Sequence, residues 1–413
     1  MPISEKLDPV HLAKNSDDFV KVKPISSAET TVSFSKLSIK QWGEVGMLAC
    51  VSFLSTLYLF GAKKFFSFGL LFTGVTSIAF GFLNLLPSGR IFFWTSLGIR
   101  CAGAVGDAAF VTSSFVISVR SFPGRIATII GIMETFSGLG YTVGPVIGGA
   151  LYEYGGYQLP FFVVGALLIL TTMFSLFLIE SSDEDPNESD DKNGMLEILK
   201  IPAIWIMVFG VVICATSFHF FDPTLANHLA SFNFSTTVVG LMFLLSEGIY
   251  TASAPIVGIM IDRWQCSNTT MVFGSIGTMI SMLLIGPSPL LHFEKNLVLI
   301  ILSLTLLGVA VAAFFIPSYN NCLDAVKEYS YENSLKTNGY ISGIVHSAYA
   351  FGSFVGLTLG SIGVEIIGFG WTTTAIGIIN IIFILILKIF LTTKSKVSQR
   401  SSKVHDVSKD NNI

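Results

Sequence analysis

The sequence predicts an all-α, polytopic membrane protein, and two observations carry that reading. Hydrophobic residues make up 52% of the 413 residues and charged residues only 12%, about half the charged share of an ordinary soluble domain. Apolar runs of about 20 residues, the length a helix needs to cross a hydrocarbon core, recur along the whole chain. A net charge of -3, with the basic residues scattered or gathered in tails, offers no nucleic-acid surface. The five cysteines, Cys50, Cys101, Cys214, Cys266 and Cys322, show no CxxC or metal spacing and read as free buried thiols. No metal site is expected.

Residues 1–41 hold six lysines and five acids without an apolar run, which predicts a polar tail and argues against a cleaved signal peptide. Membrane-length runs follow at 42–61, 65–86, 91–118, 126–152 and 158–179. The first bundle is therefore expected over 42–180, incomplete at five helices. An acidic stretch from Ser181 to Gly194 marks a linker over 181–200. Six more runs, at 202–226, 236–261, 269–287, 296–318, 339–366 and 370–393, predict a second bundle over 201–393, giving about 11 helices as 5 + 6. The tail 394–413 carries Lys394, Lys396, Arg400, Lys403 and Lys409. Basic residues favour the cytoplasmic side, so this tail, the acidic linker, Arg120, Arg125 and Arg263 are expected there.

The two halves repeat each other. Gly140, Gly144, Gly148, Glu153 and Gly156 match Gly352, Gly356, Gly360, Glu365 and Gly368 at a constant offset of 212 (352 − 140). Parallel six-helix halves mark one architecture of secondary transporters. Carried backward, the offset places 236–261 on 42–61 and places 202–226 on the polar tail. By its own symmetry the first half is one helix short of a twelve-helix whole.

Within that repeat, Gly140, Gly144 and Gly148 line one face of a helix at every fourth residue, with Pro145 bending it and Gly149 adjoining. Such a face lets a neighbour approach to backbone contact, so it is expected to pack tightly and seal one side of the molecule.

Ionisable residues inside apolar runs carry the chemistry, because a central Asp or Arg costs about 2.5–3.5 kcal/mol to insert. Asp222 precedes Pro223, which frees carbonyls beside a carboxylate; the site suits an amine or a proton, or Asp222 caps the helix beyond. His219 lies one turn earlier on the same face. Glu134 and its repeat mate His346 (134 + 212) occupy equivalent positions and could both face a central path, or each could make a structural hydrogen bond. Glu247 reads as a second cation or proton site, or as an ion-pair partner of Arg100. Arg100 and Asp107, two turns apart, share a helix face. Tyr141, Tyr250, Tyr319 and Tyr349 are candidates to hold an amine by cation–ring attraction. No Walker loop, HExxH motif or dinucleotide GxGxxG occurs, so neither an enzyme nor ATP-driven transport is indicated.

These residues resemble a known family. Gly140, Gly144, Pro145, Gly148 and Gly149 fit the gxxxGPxxGG motif on helix five of proton-coupled antiporters in the major facilitator superfamily. Gly258, Asp262 and Arg263 resemble the second-half copy of its GxxxDR loop motif, and Arg100 its helix-four arginine motif. The strings ETFSGLGYTVGPVIGGALYEYGGYQLPF and FDPTLANHLASFNFSTTVVGLMFL resemble the vesicular amine transporters, most closely their polyamine branch. The resemblance implies the major facilitator fold, two pseudo-symmetric bundles, and usually a monomer. It implies a proton-coupled antiporter of organic cations by alternating access in a vesicle membrane, with a proton gradient and no cofactor. Asp222, Glu247 and Glu134 would hold the cation, and Gly258, Asp262 and Arg263 would form a gate. The partners are then a small organic cation, protons and membrane lipid.

One departure is plain. Of the family's first loop motif only Gly61, Ala62 and Lys63 remain, joined directly to the run from Trp42. The alternative is therefore a transport-incompetent variant acting as a membrane interaction partner. In that case helix eleven loses helix two, and Gly352, Gly356 and Gly360 would be exposed to lipid. A third reading is an uncoupled facilitator of a small neutral solute.

Overall fold

In the computed structural model, the described residues are 62–87, 89–122, 124–178, 198–234, 236–291, 294–329 and 335–410. The expected run 42–61, the polar tail before it and most of the acidic linker lie outside them. The described residues are all helical or connecting: α1 (Ala62–Gly81), a 3₁₀ turn (Phe82–Leu85), α2 (Arg90–Ser121), α3 (Ile126–Gly155), α4 (Gln158–Leu178), α5 (Pro202–His219) and α6 (Phe221–Leu229). After a second 3₁₀ turn (Ala230–Phe232) come α7 (Thr236–Trp264), α8 (Ser267–Ile285), α9 (Leu297–Glu328), α10 (Leu335–Ile367) and α11 (Phe369–Asp410). They supply 10 helices long and apolar enough to cross a membrane, with α5, α6 and the turn after them forming one span, Pro202–Phe232.

The helix ends follow local chemistry. Gly156 and Gly368 close α3 and α10 with φ of +70° and +83°, the left-handed conformation that glycine adopts without a Cβ penalty. Each donates its N–H to the carbonyl four residues back, Tyr152 at 2.8 Å and Val364 at 3.1 Å. The same stop thus recurs 212 residues apart.

Small residues set the packing. A Cβ built on Gly69 would lie 2.8 Å from the Gly106 carbonyl oxygen, and one on Gly74 would lie 3.0 Å from that of Gly165. These contacts draw α2 and α4 onto α1. The deepest core lies around α9, where Leu304, Leu307, Phe314, Ile316 and Tyr319 are fully buried among α5, α7, α8 and α10. α3 packs chiefly on α7, across the two halves of the chain.

Pro223 changes the helix less than expected. Lacking an N–H for the His219 carbonyl, it interrupts the hydrogen-bond ladder there, yet Phe220 keeps φ -55° and ψ -33°. The chain continues as α6 in an α-helical conformation, without a sharp break beside Asp222.

Candidate functional site

α3 and α7 run antiparallel, with a seam at one end. A Cβ on Gly258 would lie 2.3 Å from the Ala127 carbonyl oxygen, and one on Gly131 would lie 2.4 Å from that of Ala254. Backbone therefore touches backbone. The Asp262 carboxylate closes this end, accepting the Ala127 and Thr128 amides at 3.1 and 2.7 Å. Those amides are among the donors that a helix start leaves unsatisfied, and the negative charge suits the positive end of the helix dipole. Arg263 beside it is exposed.

Further along, the seam turns polar. Glu134 accepts a 2.6 Å hydrogen bond from the Tyr250 hydroxyl, and Thr135 donates to the Thr251 carbonyl at 3.1 Å. Gly138 meets Thr251. No described residue comes within 4 Å of a Cβ placed on Gly140, Gly144, Gly148 or Gly149. The expectation that this stripe packs tightly and seals one side is thus corrected for the described residues: Gly131, Gly138 and Gly258 make the seal with α7, and Gly140 and Gly144 lie on the opposite face of α3. The helix nevertheless continues through position 145 to Gly155.

The opposite correction applies to α10. Gly352 and Gly356 would place a Cβ 2.4 Å from the Val212 carbonyl oxygen and 2.6 Å from that of Thr216, and Gly360 would meet the Phe220 ring at 2.5 Å. This stripe is covered by α5 and is not exposed to lipid, because small residues on both helices, Ala215 among them, let the two backbones touch.

Near the polar part of this seam the ionisable residues gather. His219 Nδ1 lies 2.9 Å from Asp222 Oδ2, and its Nε2 lies 3.2 Å from the Tyr349 hydroxyl. Asp222 thus pairs with His219 and does not cap α6, whose start has no side-chain cap. Glu247 lies within electrostatic reach of Asp222 and His219. Tyr141, 73% exposed on α3, lies within reach of Glu134, Glu247, Asp107 and Asp222 at once. Tyr349 lies within electrostatic reach of Glu134 and Glu247. Carboxylates from α3, α6 and α7 therefore stand near the hydroxyls of Tyr250 and Tyr349, an arrangement suited to a cation.

Other expected residues lie elsewhere. Arg100 and Asp107 do share a face, which is turned to α1: the guanidinium stands 4.4 Å over the Phe80 ring, and Asp107 accepts from Thr73 Oγ1 at 3.0 Å. Arg100 is not the ion-pair partner of Glu247, because the aromatic ring holds it beside α1. His346 does not join its repeat mate Glu134. Its Nδ1 donates to the Ser342 carbonyl at 2.9 Å and its ring meets Phe115 edge-on at 4.4 Å, so it serves the packing of α10 on α2. Tyr319 is fully buried, 5.6 Å from the Phe115 ring. Sequence reasoning missed Gly131, Gly138 and Thr135 as the seam; the spacing of Gly131 and Gly138, two turns apart, was its visible trace.

The family model of the Major Facilitator Superfamily matches residues 37–334 and 207–410. The chain is 33% identical to the MFS-type transporter SLC18B1 of Homo sapiens over 357 residues, 86% of this chain and 77% of that protein. It is 25% identical to the human synaptic vesicular amine transporter over 295 residues, 70% of this chain and 52% of that one. The fold resembles the human organic anion transporter MFSD10, with a TM-score of 0.64 and 17% identity over 83% of this chain and 81% of the other. It also resembles the proton:xylose symporter XylE, with a TM-score of 0.62 and 13% identity over 84% of each chain. These are transporters, not enzymes, and the chain belongs to the Major Facilitator Superfamily.

Proposed function

We propose that the chain is a proton-coupled antiporter that exchanges protons for a small organic cation across a vesicle membrane. The observation that carries the reading is the gathering of Glu134 on Tyr250 and of Asp222 on His219 and Tyr349, with Glu247 within electrostatic reach of Asp222. An ammonium group and a proton compete for the same carboxylates, and that competition couples the two fluxes. His219 positions Asp222 and carries a second exchangeable proton between it and Tyr349. The amine named in the vesicular relatives supports an organic amine, a monoamine or a polyamine, as the cation.

In this reading the Asp262 end is cytoplasmic and closed, by the backbone seam and the helix cap, and the central carboxylates open toward the lumen. Alternating access requires the seam to part while the far ends of α3 and α7 approach. A vesicular proton gradient supplies the driving force, and one chain holds the whole path.

The test is uptake of radiolabelled amines by proteoliposomes with an acidic interior. Uptake is expected to collapse with a protonophore and with Asp222→Asn. Uptake of a neutral solute that is indifferent to pH would favour a facilitator, and unchanged coupling in Asp222→Asn would remove the assigned role of that carboxylate.

A further inference from the structure

A cavity of about 130 Å³ opens between the ends of α5, α8, α9 and α11, sharing no residue with the central carboxylate cluster. Its polar wall is Asn268, Asn321, Asp324 and Glu328, and Met207 and Phe390 stand opposite. Asn321 is only 9% exposed, and its amide nitrogen has nothing better than the Met271 sulfur at 3.6 Å. Its amide oxygen accepts no hydrogen bond from the described residues. That oxygen belongs to a wall that offers acceptors. Asp324 is held in place by Lys327 at 3.2 Å and Asn320 at 3.3 Å. Glu328 stands one turn further along the same helix face.

The chemistry of the lining selects the ligand. Amide and carboxylate oxygens call for a cationic donor, whereas Met207 and Phe390 call for a short hydrocarbon. A metal ion meets neither need: no group of three or more His, Cys, Asp or Glu able to hold one exists among the described residues. We propose that this cavity is a second binding site, outside the transport path, for a primary alkylammonium group. The ammonium lies against Asn321, Asp324 and Glu328, and the alkyl chain lies against Met207 and Phe390. An occupant there ties together four helix ends of the second half of the chain, and so biases any motion that separates them. The proposal does not depend on what the central site carries.

The ammonium can come from a free amine or from a lysine of residues 394–413, and the experiment separates the two. The ε-methyl of Met207, labelled with 13C in the full-length protein in lipid nanodiscs, reports on the cavity. Titration with butylammonium chloride is expected to move that resonance saturably, whereas butanol leaves it still. In Asp324→Asn/Glu328→Gln the apparent affinity is expected to fall at least tenfold. Ala203→Leu, which fills the wall without changing charge, is expected to abolish the shift at an unchanged melting temperature. Asp222→Asn should leave the shift as it is. If removing residues 394–413 moves the resonance before any amine is added, a lysine is the occupant; if it does not, the free amine is. A Met207 resonance that stays fixed, moves equally with butanol, or moves undiminished in the charge-neutral double variant overturns the proposal.

Discussion

The glycine stripes of α3 and α10 share one spacing and meet opposite surroundings. Gly352, Gly356 and Gly360 are pressed against α5, where Thr216 even donates its hydroxyl to the Gly352 carbonyl at 3.0 Å. Gly140, Gly144 and Gly148, their mates 212 residues earlier, meet no described residue within 4 Å. A small-residue stripe records a capacity for close approach. Whether the capacity is used depends on which helix lies opposite, and α5 has no described counterpart facing α3.

The sharpest way to break this comparison is to fill both stripes. Gly352→Leu drives a side chain into the α5 backbone, which has no rotamer to yield, and is expected to cost about 3 kcal/mol or more. Gly144→Leu is expected to leave the melting temperature of the purified protein nearly unchanged. An equal loss in both would mean that the α3 stripe is covered after all.

A second test concerns the end of α3 that is held. Asp262→Asn removes the charge from the two-amide cap and is expected to cost about 1 kcal/mol. The effect should appear as faster maleimide labelling of a cysteine placed at Ala127, with little change for one placed at Val146. Equal acceleration at both would show that the cap holds the entire helix, not one end.

The helix stops should respond alike, since here the repeat mates do share an environment. Gly156→Ala and Gly368→Ala each force a Cβ onto a residue of positive φ, at about 1–3 kcal/mol apiece. Markedly unequal melting shifts would contradict the matched geometry. The smallest effect is expected from Gly144→Ala, which should stabilise by at most about 1 kcal/mol, because alanine favours the helix and nothing described obstructs it. Gly356→Ala should act with the opposite sign.

Much of the architecture was legible because it is written in local chemistry. Membrane-length apolar runs found the described helices to within a few residues, except that α9 runs on to Glu328, α10 begins at Leu335 and α11 runs on to Asp410, where polar residues continue a helix beyond the apolar stretch. The 212-residue repeat was legible in the glycines and is seen again in the backbone of Gly156 and Gly368. The site was legible by residue type and only partly by partner. Asp222 and His219 are three residues apart, so their pairing follows from helix geometry. Glu134 and Tyr250 are 116 residues apart in sequence, and no spacing rule joins them. A carboxylate was one of the partners open to Arg100, which stands over the Phe80 ring, because position on a helix face does not say which neighbour fills it.

The seam between α3 and α7 also has a mechanical meaning. From Gly131 to Tyr154 the helix extends 23 residues, roughly 35 Å at 1.5 Å per residue. Were α3 to pivot on this seam, it would act as a lever with its fulcrum near Gly131. A tilt of about 10° would displace its far end by roughly 6 Å, the width of a slender molecule, while Ala127 beside the Asp262 cap moves by about 1 Å. The carboxylate of Glu134, less than one turn from the fulcrum, would barely travel, so the grip on a cargo and the opening around it are set by separate parts of one rod.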